Sequence, residues 1–388
     1  MNEFKCVVPR VLFGAGQRKE LGACAAEWGR KAFLALDPFL EQSGAGAEIE
    51  QLLRAAGLAV AKYSRIDPDP DCFAADEAAA LARREGCDLV VAVGGGSALD
   101  FGKGVAVVAG NPGTAWQHTR RKDHTPLVPG PGTLPVVALP STAGTGSEMT
   151  HYAVFSNPQL REKSTIVSER IIPRAALVDP ELTYSCPPRL TALTGVDVLA
   201  HAIEAYINVS SSAFARLVSI EAIRLVGAWL TQAVADGANP EPRQQMAWAS
   251  ALGGIAIAHA NPTLPHALGQ AAGGFVHAPH GATVAACLAA IMRLSHEAAP
   301  QSFADIAAAL EPAAAALPLA DRAARSAVLV DELLDTIGAR VRFGELGLRG
   351  EDIERVTRIA LTAYATGISL HPKKVDEREI VRIYQSCL

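Results

Sequence analysis

Four residues in the second half of the chain combine one carboxylate with three imidazoles. Asp197 and His201 are four residues apart in a segment with helical character, so a helix would place them on one face. That face is otherwise apolar, which makes a buried Asp–His pair costly unless a partner compensates. With His266 and His280, the pair forms a plausible four-ligand set for a divalent first-row metal. A simple helical Asp–His hydrogen bond, with two unrelated histidines, is the alternative.

Two turns rich in glycine and hydroxyl groups follow apolar runs in the first half. Residues 94–97 read Gly-Gly-Gly-Ser and follow the run 88–93, and the run 134–139 leads into the turn 141–147. Glycine N–H groups in front of a helix suit a pyrophosphate, and neighbouring parallel strands bring such turns to one crevice. Asp37, after the first strand, would bind a ribose diol and repel a 2′-phosphate, which favours NAD over NADP. Tight turns without a ligand explain the same residues.

The elements that must position these residues change in type along the chain. Strands are predicted at 31–36, 58–63, 88–93 and 134–139, with helices at 47–56 and 72–85. From Pro188 onward the pattern predicts only helices, at 190–206, 213–235, 243–258 and 282–294. We therefore expect an α/β domain with a parallel sheet at 1–183, which binds a dinucleotide, and an all-α domain at 184–388.

Composition narrows the class of protein. The 388 residues carry a net charge of −5, with 49% hydrophobic and 19% charged residues, which excludes wholesale disorder and argues against nucleic-acid binding. No apolar run reaches the roughly 20 residues of a membrane span, so we expect none. The seven cysteines are scattered without a CxxC pair, and the N-terminus lacks a signal-peptide pattern. Both features are typical of a cytoplasmic protein with reduced thiols.

Several motifs, taken together, resemble the iron-containing (group III) alcohol dehydrogenase family. They are PSTAGTGSEMT at 140–150, GVDVLAHAIEAY at 195–206, PH at 265–266 and APHG at 278–281. The likeness runs nearly end to end, since the segments 9–16, 94–103, 178–182 and 370–373 follow in the family's order. The resemblance implies a Rossmann-like NAD(P)-binding domain, an all-helical metal-binding and substrate domain, a deep cleft between them, and a homodimer.

Matching positions carry the family's site residues over to this chain. The implied metal ligands are Asp197, His201, His266 and His280. Fe(II) is the expected ion, although His and Asp ligands would also accept Zn(II). The implied nucleotide contacts are Asp37, Asp69, Gly94, Gly95, Gly96, Ser97, Asp100, Ser141, Thr142, Thr145, Lys163 and Leu182. Without the resemblance, Asp69 would read as a structural turn and Lys163 as a solvated charge.

The implied activity is hydride transfer between NAD(H) and a small alcohol or aldehyde, assisted by the metal as a Lewis acid. Within the family, hydroxy-acid, phosphonate-aldehyde and maleylacetate reductases are alternatives. Maleylacetate reductases tend to lack the metal-binding aspartate, so Asp197 argues against them. A dehydroquinate synthase-like lyase would show more basic residues around the metal than this chain does at 197–206. A non-catalytic NAD-binding protein would bind NAD without metal-dependent turnover.

One position departs from the family pattern. Many members carry a second histidine four residues after the position of His266, where this chain has Gln270. A glutamine cannot relay protons as an imidazole does. His277, three residues before His280, is the candidate replacement, and we predict His277 and His266 as catalytic residues. The alternative is that His277 only packs or faces solvent.

Overall fold

The computed structural model of the protein describes residues 4–121 and 125–388 and divides into two compact units. The first unit comprises Val7–Thr142 and Gly146–Thr183. The second comprises the described residues up to Cys6, Ala143–Thr145 and Tyr184–Leu388. The two units thus divide after Thr183, while a three-residue piece of the 141–147 turn groups with the helices, which no sequence pattern indicated.

Strands in the described part of the first unit form two sheets. They are β1 (Arg10–Phe13), β2 (Lys31–Leu36), β3 (Ala59–Tyr63), β4 (Leu89–Gly94), β5 (Thr119–Arg120), β6 (Val136–Pro140), β7 (Tyr152–Asn157), β8 (Glu162–Val167) and β9 (Ala175–Val178). The larger sheet is parallel throughout and has the order β1-β9-β6-β4-β2-β3. Its central strands β4 and β6 are buried along their whole length, as expected where helices cover both faces. The four predicted strands are β2, β3, β4 and β6.

Five α-helices accompany these strands in the described part of the first unit. They are α1 (Leu21–Ala26), α2 (Pro38–Gln42), α3 (Ala45–Ala55), α4 (Cys72–Arg84) and α5 (Gly96–Gly110). Asp37 caps α2 and Asp71 caps α4, since each carboxylate accepts a 2.8 Å hydrogen bond from the backbone N–H two residues later. The predicted helices 47–56 and 72–85 correspond to α3 and α4.

The smaller sheet was not predicted. It is antiparallel, with the order β5-β8-β7. Strand β8 buries Lys163 and Ser164, so the usual alternation of apolar and polar residues is missing from its sequence. Lys163 is only 2% exposed and is therefore not a solvated charge.

All regular secondary structure in the described residues of the second unit is helical. Its helices are α6 (Pro188–Ile207), α7 (Ala213–Ala235), α8 (Pro240–Ala260), α9 (Leu264–Val276), α10 (His280–Ala285), α11 (Leu288–Ser295), α12 (Pro300–Leu310), α13 (Leu319–Thr336), α14 (Ile353–Ala363), α15 (Ala365–Leu370) and α16 (Glu377–Ser386). The prediction of a single helix at 282–294 is wrong. The chain leaves helical geometry at Cys287 (φ −124°), although the apolar run continues across this break and gave no sign of it.

Helix α6 is, among the described residues, the one helix long and apolar enough to cross a membrane by length and composition. However, 78% of its most apolar window is buried inside the protein, where it packs against α7 and α8. It also carries three buried ionisable residues, Asp197, His201 and Glu204. These features are those of a core helix.

Candidate metal centre and nucleotide-binding turns

One face of α6 brings ionisable side chains into the core of the helical unit. Asp197, His201 and Glu204 occupy positions i, i+4 and i+7 and are 2%, 4% and 0% exposed. His266 lies in the first turn of α9, and His280 is the first residue of α10. Three helices therefore contribute to a single cluster.

The four predicted metal ligands lie together. One donor atom from each lies within 4.8 Å of the others. Asp197 Oδ1 is 3.2 Å from His266 Nε2, 3.3 Å from His280 Nε2 and 3.7 Å from His201 Nε2. Ligand atoms around a tetrahedral ion are roughly 3.3–3.6 Å apart, because the bonds are about 2.0–2.2 Å long. The His280 side chain is 26% exposed, so the cluster reaches solvent on that side.

His201 gives the clearest sign that the cluster suits a cation. Its Nδ1 is buried without a hydrogen-bond partner in the described part of the chain, and its Nε2 is too far from Asp197 for a hydrogen bond. Burial lowers the pKa of His201 to about 4, so the imidazole is neutral. Burying a neutral imidazole without hydrogen bonds is costly, and a metal ion at Nε2 would reduce that cost. The donor set therefore fits Fe(II), Zn(II) or a similar ion.

The charges within the cluster also favour a bound cation. Burial alone would raise the pKa of Asp197, but the charges and hydrogen bonds of the surrounding imidazoles, those of His280 and His266 among them, hold that pKa well below its usual range. Burial would likewise lower the pKa of His266, but the carboxylates of Glu204 and Asp197 raise it to about 10. Asp197 thus stays ionised and provides the negative charge that a cation requires.

Glu204 belongs to this site and was missed by the sequence reasoning. Its Oε1 accepts a short hydrogen bond from His266 Nδ1, and its Oε2 accepts one from Thr263 N at 2.6 Å. Metal-binding histidines commonly donate their second ring nitrogen to a carboxylate in this way. A signal was available, because Glu204 follows Asp197 by seven residues and so returns to the same face of the helix.

In the first unit, predicted nucleotide contacts gather at the carboxyl ends of β2, β4 and β6. Asp37 follows β2 and Gly94 ends β4; a Cβ on Gly94 would lie 2.5 Å from the Asp37 Cβ, and its φ of 146° also favours glycine. Ser141 N, after β6, donates to Gly94 O at 2.9 Å. Helix α5 begins at Gly96, so its first N–H groups lie at the sheet edge where α/β proteins bind nucleotides.

Three further predicted contacts meet each other. Asp69 N donates to Ser97 Oγ at 3.0 Å, and Lys163 Nζ lies 2.7 Å from Asp69 Oδ1. Asp69 has left-handed backbone geometry, with a φ of 58°. The fold thus brings together three residues that are far apart in the sequence.

Asp100, whose side chain is 15% exposed, belongs to a largely buried ionic network on α5. Its two oxygens accept hydrogen bonds from Ser147 Oγ at 2.5 Å and Val154 N at 2.8 Å. Lys103, one turn later and fully buried, donates from Nζ to Ser147 Oγ at 2.7 Å and Thr150 Oγ1 at 3.1 Å. Burial lowers the pKa of Lys103 to about 8, although Asp100 opposes this shift. These hydrogen bonds hold the segment that follows the turn 141–147 against α5.

The remaining predicted contacts are more scattered. A Cβ on Gly95 would lie 3.4 Å from the Thr142 methyl group, so these two residues are close. Thr145 groups with the helical unit. Leu182 is 9% exposed and packs in the hydrophobic core of the first unit.

His277, predicted as catalytic, is exposed and ends α9. Its backbone is left-handed (φ 56°, ψ 48°), and its N–H donates to Gly273 O. Glycine and asparagine are more usual at this helix end. Gln270 lies on α9 one turn after His266. A catalytic role for His277 stays a prediction.

Comparison with known proteins now identifies the family. Residues 9–180 match the family described as iron-containing alcohol dehydrogenase, and residues 191–388 match its C-terminal domain. The chain belongs to this family. It is 35% identical to a 1,3-propanediol dehydrogenase of Klebsiella pneumoniae over 389 residues, with 98% of each chain covered. The family resemblance expected from the motifs is confirmed.

Solved structures of the family agree with the fold. An archaeal halo-thermophilic alcohol dehydrogenase from a Red Sea brine pool matches with a TM-score of 0.95 at 31% identity, covering 100% of both chains. A sulfoacetaldehyde reductase from Bifidobacterium kashiwanohense, solved in complex with NAD+, matches with a TM-score of 0.85 at 29% identity, covering 100% of this chain and 99% of the other. The expected α/β domain with a parallel sheet and the all-helical domain are confirmed.

Proposed function

We propose that this chain is a metal-dependent dehydrogenase that transfers a hydride between NAD(H) and a small alcohol or aldehyde. The observation that carries the proposal is the buried cluster of Asp197 with three imidazoles. Membership of the iron-containing alcohol dehydrogenase family supports the reaction class, and the NAD+ complex of a relative supports the cofactor. Fe(II) is the proposed ion because of the family, and Zn(II) suits the same ligands.

A divalent metal bound at the cluster would supply Lewis acidity, which lowers the pKa of an alcohol or polarises an aldehyde carbonyl. The protein supplies the rest. Asp197 keeps its negative charge, and His201, His266 and His280 direct their Nε2 atoms toward it. Because His280 is the partly exposed member, a small substrate would approach from its side.

For the cofactor, we propose Asp37 and the turn 94–97 as the principal contacts. Asp37 Oδ1 accepts the hydrogen bond from Phe39 N that caps α2. The second oxygen can then receive a ribose hydroxyl and would repel a 2′-phosphate, so NAD is the proposed cofactor. The N–H groups at the start of α5 would receive the pyrophosphate.

The direct test is oxidation of NADH in the presence of short-chain aldehydes. One sample is stripped with a chelator, and a second is stripped and then reloaded anaerobically with Fe(II). We expect turnover in the reloaded sample alone. Full turnover in a sample shown by elemental analysis to be metal-free would contradict the proposal.

The same assay separates the alternative substrates. Turnover confined to hydroxy-acid partners or to aldehydes bearing a sulfonate or phosphonate would move the substrate to an anionic class. Release of phosphate from a sugar phosphate without net consumption of NADH would indicate a lyase instead.

A further inference from the structure

A chain of buried hydrogen bonds extends from the metal-ligand cluster into the helical unit. It runs through the side chains of His266, Glu204, Thr263, His371 and Ser295. Thr263 Oγ1 is 3.3 Å from Glu204 Oε2 and 3.2 Å from His371 Nδ1, and His371 Nε2 is 2.8 Å from Ser295 Oγ. All five side chains are buried, so no solvent competes for these bonds.

The hydrogen bonds from Ser295 to Glu204 all run in one direction, from donor to acceptor. Burial lowers the pKa of His371 to about 4, so its ring is neutral and donates from only one nitrogen. Ser295 then donates to His371 Nε2, His371 Nδ1–H donates to Thr263, and the Thr263 hydroxyl donates to Glu204. An ionised carboxylate only accepts hydrogen bonds, so Glu204 is the natural end of the chain.

Four hydrogen-bond donors surround the Glu204 carboxylate. Besides the His266 ring and the Thr263 hydroxyl, Oε2 accepts the backbone N–H groups of Thr263 at 2.6 Å and His266 at 3.3 Å. Three of these four donors reach Oε2, and the His266 ring alone reaches Oε1. The carboxylate therefore fixes both the His266 ring and the backbone that enters α9.

We infer that Glu204 is a positioning residue that makes His266 a competent metal ligand, and that Thr263 and His371 hold Glu204 in place. A metal ion binds the neutral imidazole, so any proton on Nε2 is released on binding and one N–H remains. The Glu204 carboxylate keeps that hydrogen on Nδ1 and leaves the Nε2 lone pair directed at the cluster, 3.2 Å from Asp197 Oδ1. This inference rests on the proposed metal-dependent function but concerns metal binding itself.

A glutamine at position 204 would disturb this arrangement without changing its size. Its amide NH2 group would face N–H donors, or would donate to His266 Nδ1 and so place the ring hydrogen on Nε2, where it blocks metal binding. Such a variant should keep the fold of α6 and lose affinity for the metal. The expected loss is about 10- to 100-fold, the usual effect of changing the partner of a metal-binding histidine.

The experiment measures metal affinity rather than turnover. The full-length wild type, Glu204→Gln and Thr263→Val are titrated with Co(II) against a competing chelator, and the visible spectrum of bound Co(II) reports the ligand set. Thr263→Val removes the hydroxyl but keeps the carboxylate, so we expect a loss of only about threefold. Ser219→Ala is the control, because its buried hydroxyl has no hydrogen-bond partner in the described residues, and it should bind as the wild type does.

The outcomes separate this inference from the proposed function. Wild type that takes up no Co(II) would overturn the proposed metal site, and the inference with it. Wild-type affinity and an unchanged Co(II) spectrum in Glu204→Gln would overturn the inference alone. If the glutamine variant does not fold, Thr263→Val decides: a weaker affinity with an altered Co(II) spectrum supports the inference, and wild-type behaviour overturns it.

Discussion

Helices α5 and α6 are both largely buried, and each carries an aspartate followed one turn later by a basic residue. On α5 the pair is Asp100 and Lys103, and on α6 it is Asp197 and His201. The ammonium group of Lys103 donates to neighbouring hydroxyl and carbonyl oxygens, so the α5 cluster contains its own cation. On α6, the basic partners of Asp197 among the described residues are histidines, and His201 is neutral.

The comparison shows how one local pattern serves two purposes. A lysine ends in a compact charge with three donors, which satisfies surrounding oxygens and leaves no position for another ion. Neutral imidazoles offer lone pairs, and three Nε2 atoms around one carboxylate form a position that suits a metal ion. We therefore expect the α5 cluster to contribute stability and the α6 cluster to contribute metal binding.

The largest expected effect comes from removing the carboxylate of the α6 cluster. Asp197→Ala should lose the metal and reduce kcat/KM by about 10³-fold, because Lewis-acid stabilisation contributes several kcal/mol. Elemental analysis and steady-state kinetics check both expectations. Asp100→Asn is the matched variant on α5 and should retain a wild-type metal content. If Asp100→Asn lost the metal and Asp197→Ala kept it, metal binding would belong to the α5 cluster and not to the α6 cluster.

The next effect is on stability. Lys103→Met should lower the free energy of unfolding by about 3 kcal/mol, since it leaves Asp100 and its buried neighbours without their cation. Urea denaturation measures this change, and the metal content should stay that of the wild type. Lys62→Met, at a partly exposed lysine paired with Glu41 and Glu50, is the control and should cost less than about 1 kcal/mol. Equal stability of the two variants would show that the α5 cluster is not structural.

The lysine should also leave a pH signature. Burial lowers the pKa of Lys103 from 10.5 to about 8 in the folded protein. Between these two values the unfolded chain binds more protons than the folded protein, so this residue makes stability rise with pH across that window. The difference in unfolding free energy between wild type and Lys103→Met should therefore grow from pH 8 to 10.5. A constant difference across the window would contradict the shift.

The α6 cluster also shows which site residues the sequence alone could identify. The spacing of Asp197 and His201 identified part of the α6 cluster, because helical periodicity alone puts them on one face. Periodicity could not show that His266 and His280 join them, since that depends on how three helices pack; the family resemblance provided it. Glu204 lay within the quoted motif, but its role becomes visible only through its bond to His266.

The strands likewise show what sequence patterns can and cannot predict. Long apolar runs such as β4 were predicted well, because strands covered on both faces are continuously apolar. Strand β8 was not predicted. Its Lys163 is buried and pairs with Asp69, whereas a lysine in a sequence normally indicates an exposed position. Pairing across long sequence distances is a property of the tertiary structure that no local pattern encodes.

A smaller effect should follow from adding metal to the intact protein. A ligand that binds only the folded state stabilises it by about 2.7 kcal/mol at 100 times its dissociation constant. Thermal unfolding with and without Fe(II) or Zn(II) should show this gain in the wild type and none in His201→Ala. If the Lys103→Met protein still gains this stability, metal binding at the α6 cluster does not depend on the α5 cluster. An equal gain in the His201 variant would place metal binding elsewhere.

The smallest effect tests cofactor choice next to the start of α5. Replacing Asp37 with glycine would also remove the cap of α2, so Asp37→Ser is the better variant, because serine caps helices about as well. It removes the charge that opposes a 2′-phosphate, and the preference for NADH over NADPH in kcat/KM should narrow by about tenfold. Asp71→Ser is the matched control, since Asp71 caps α4 with the same 2.8 Å hydrogen bond and is not predicted to contact the cofactor. An equal change in both variants would assign the effect to helix capping, and no change in either would remove Asp37 from cofactor recognition.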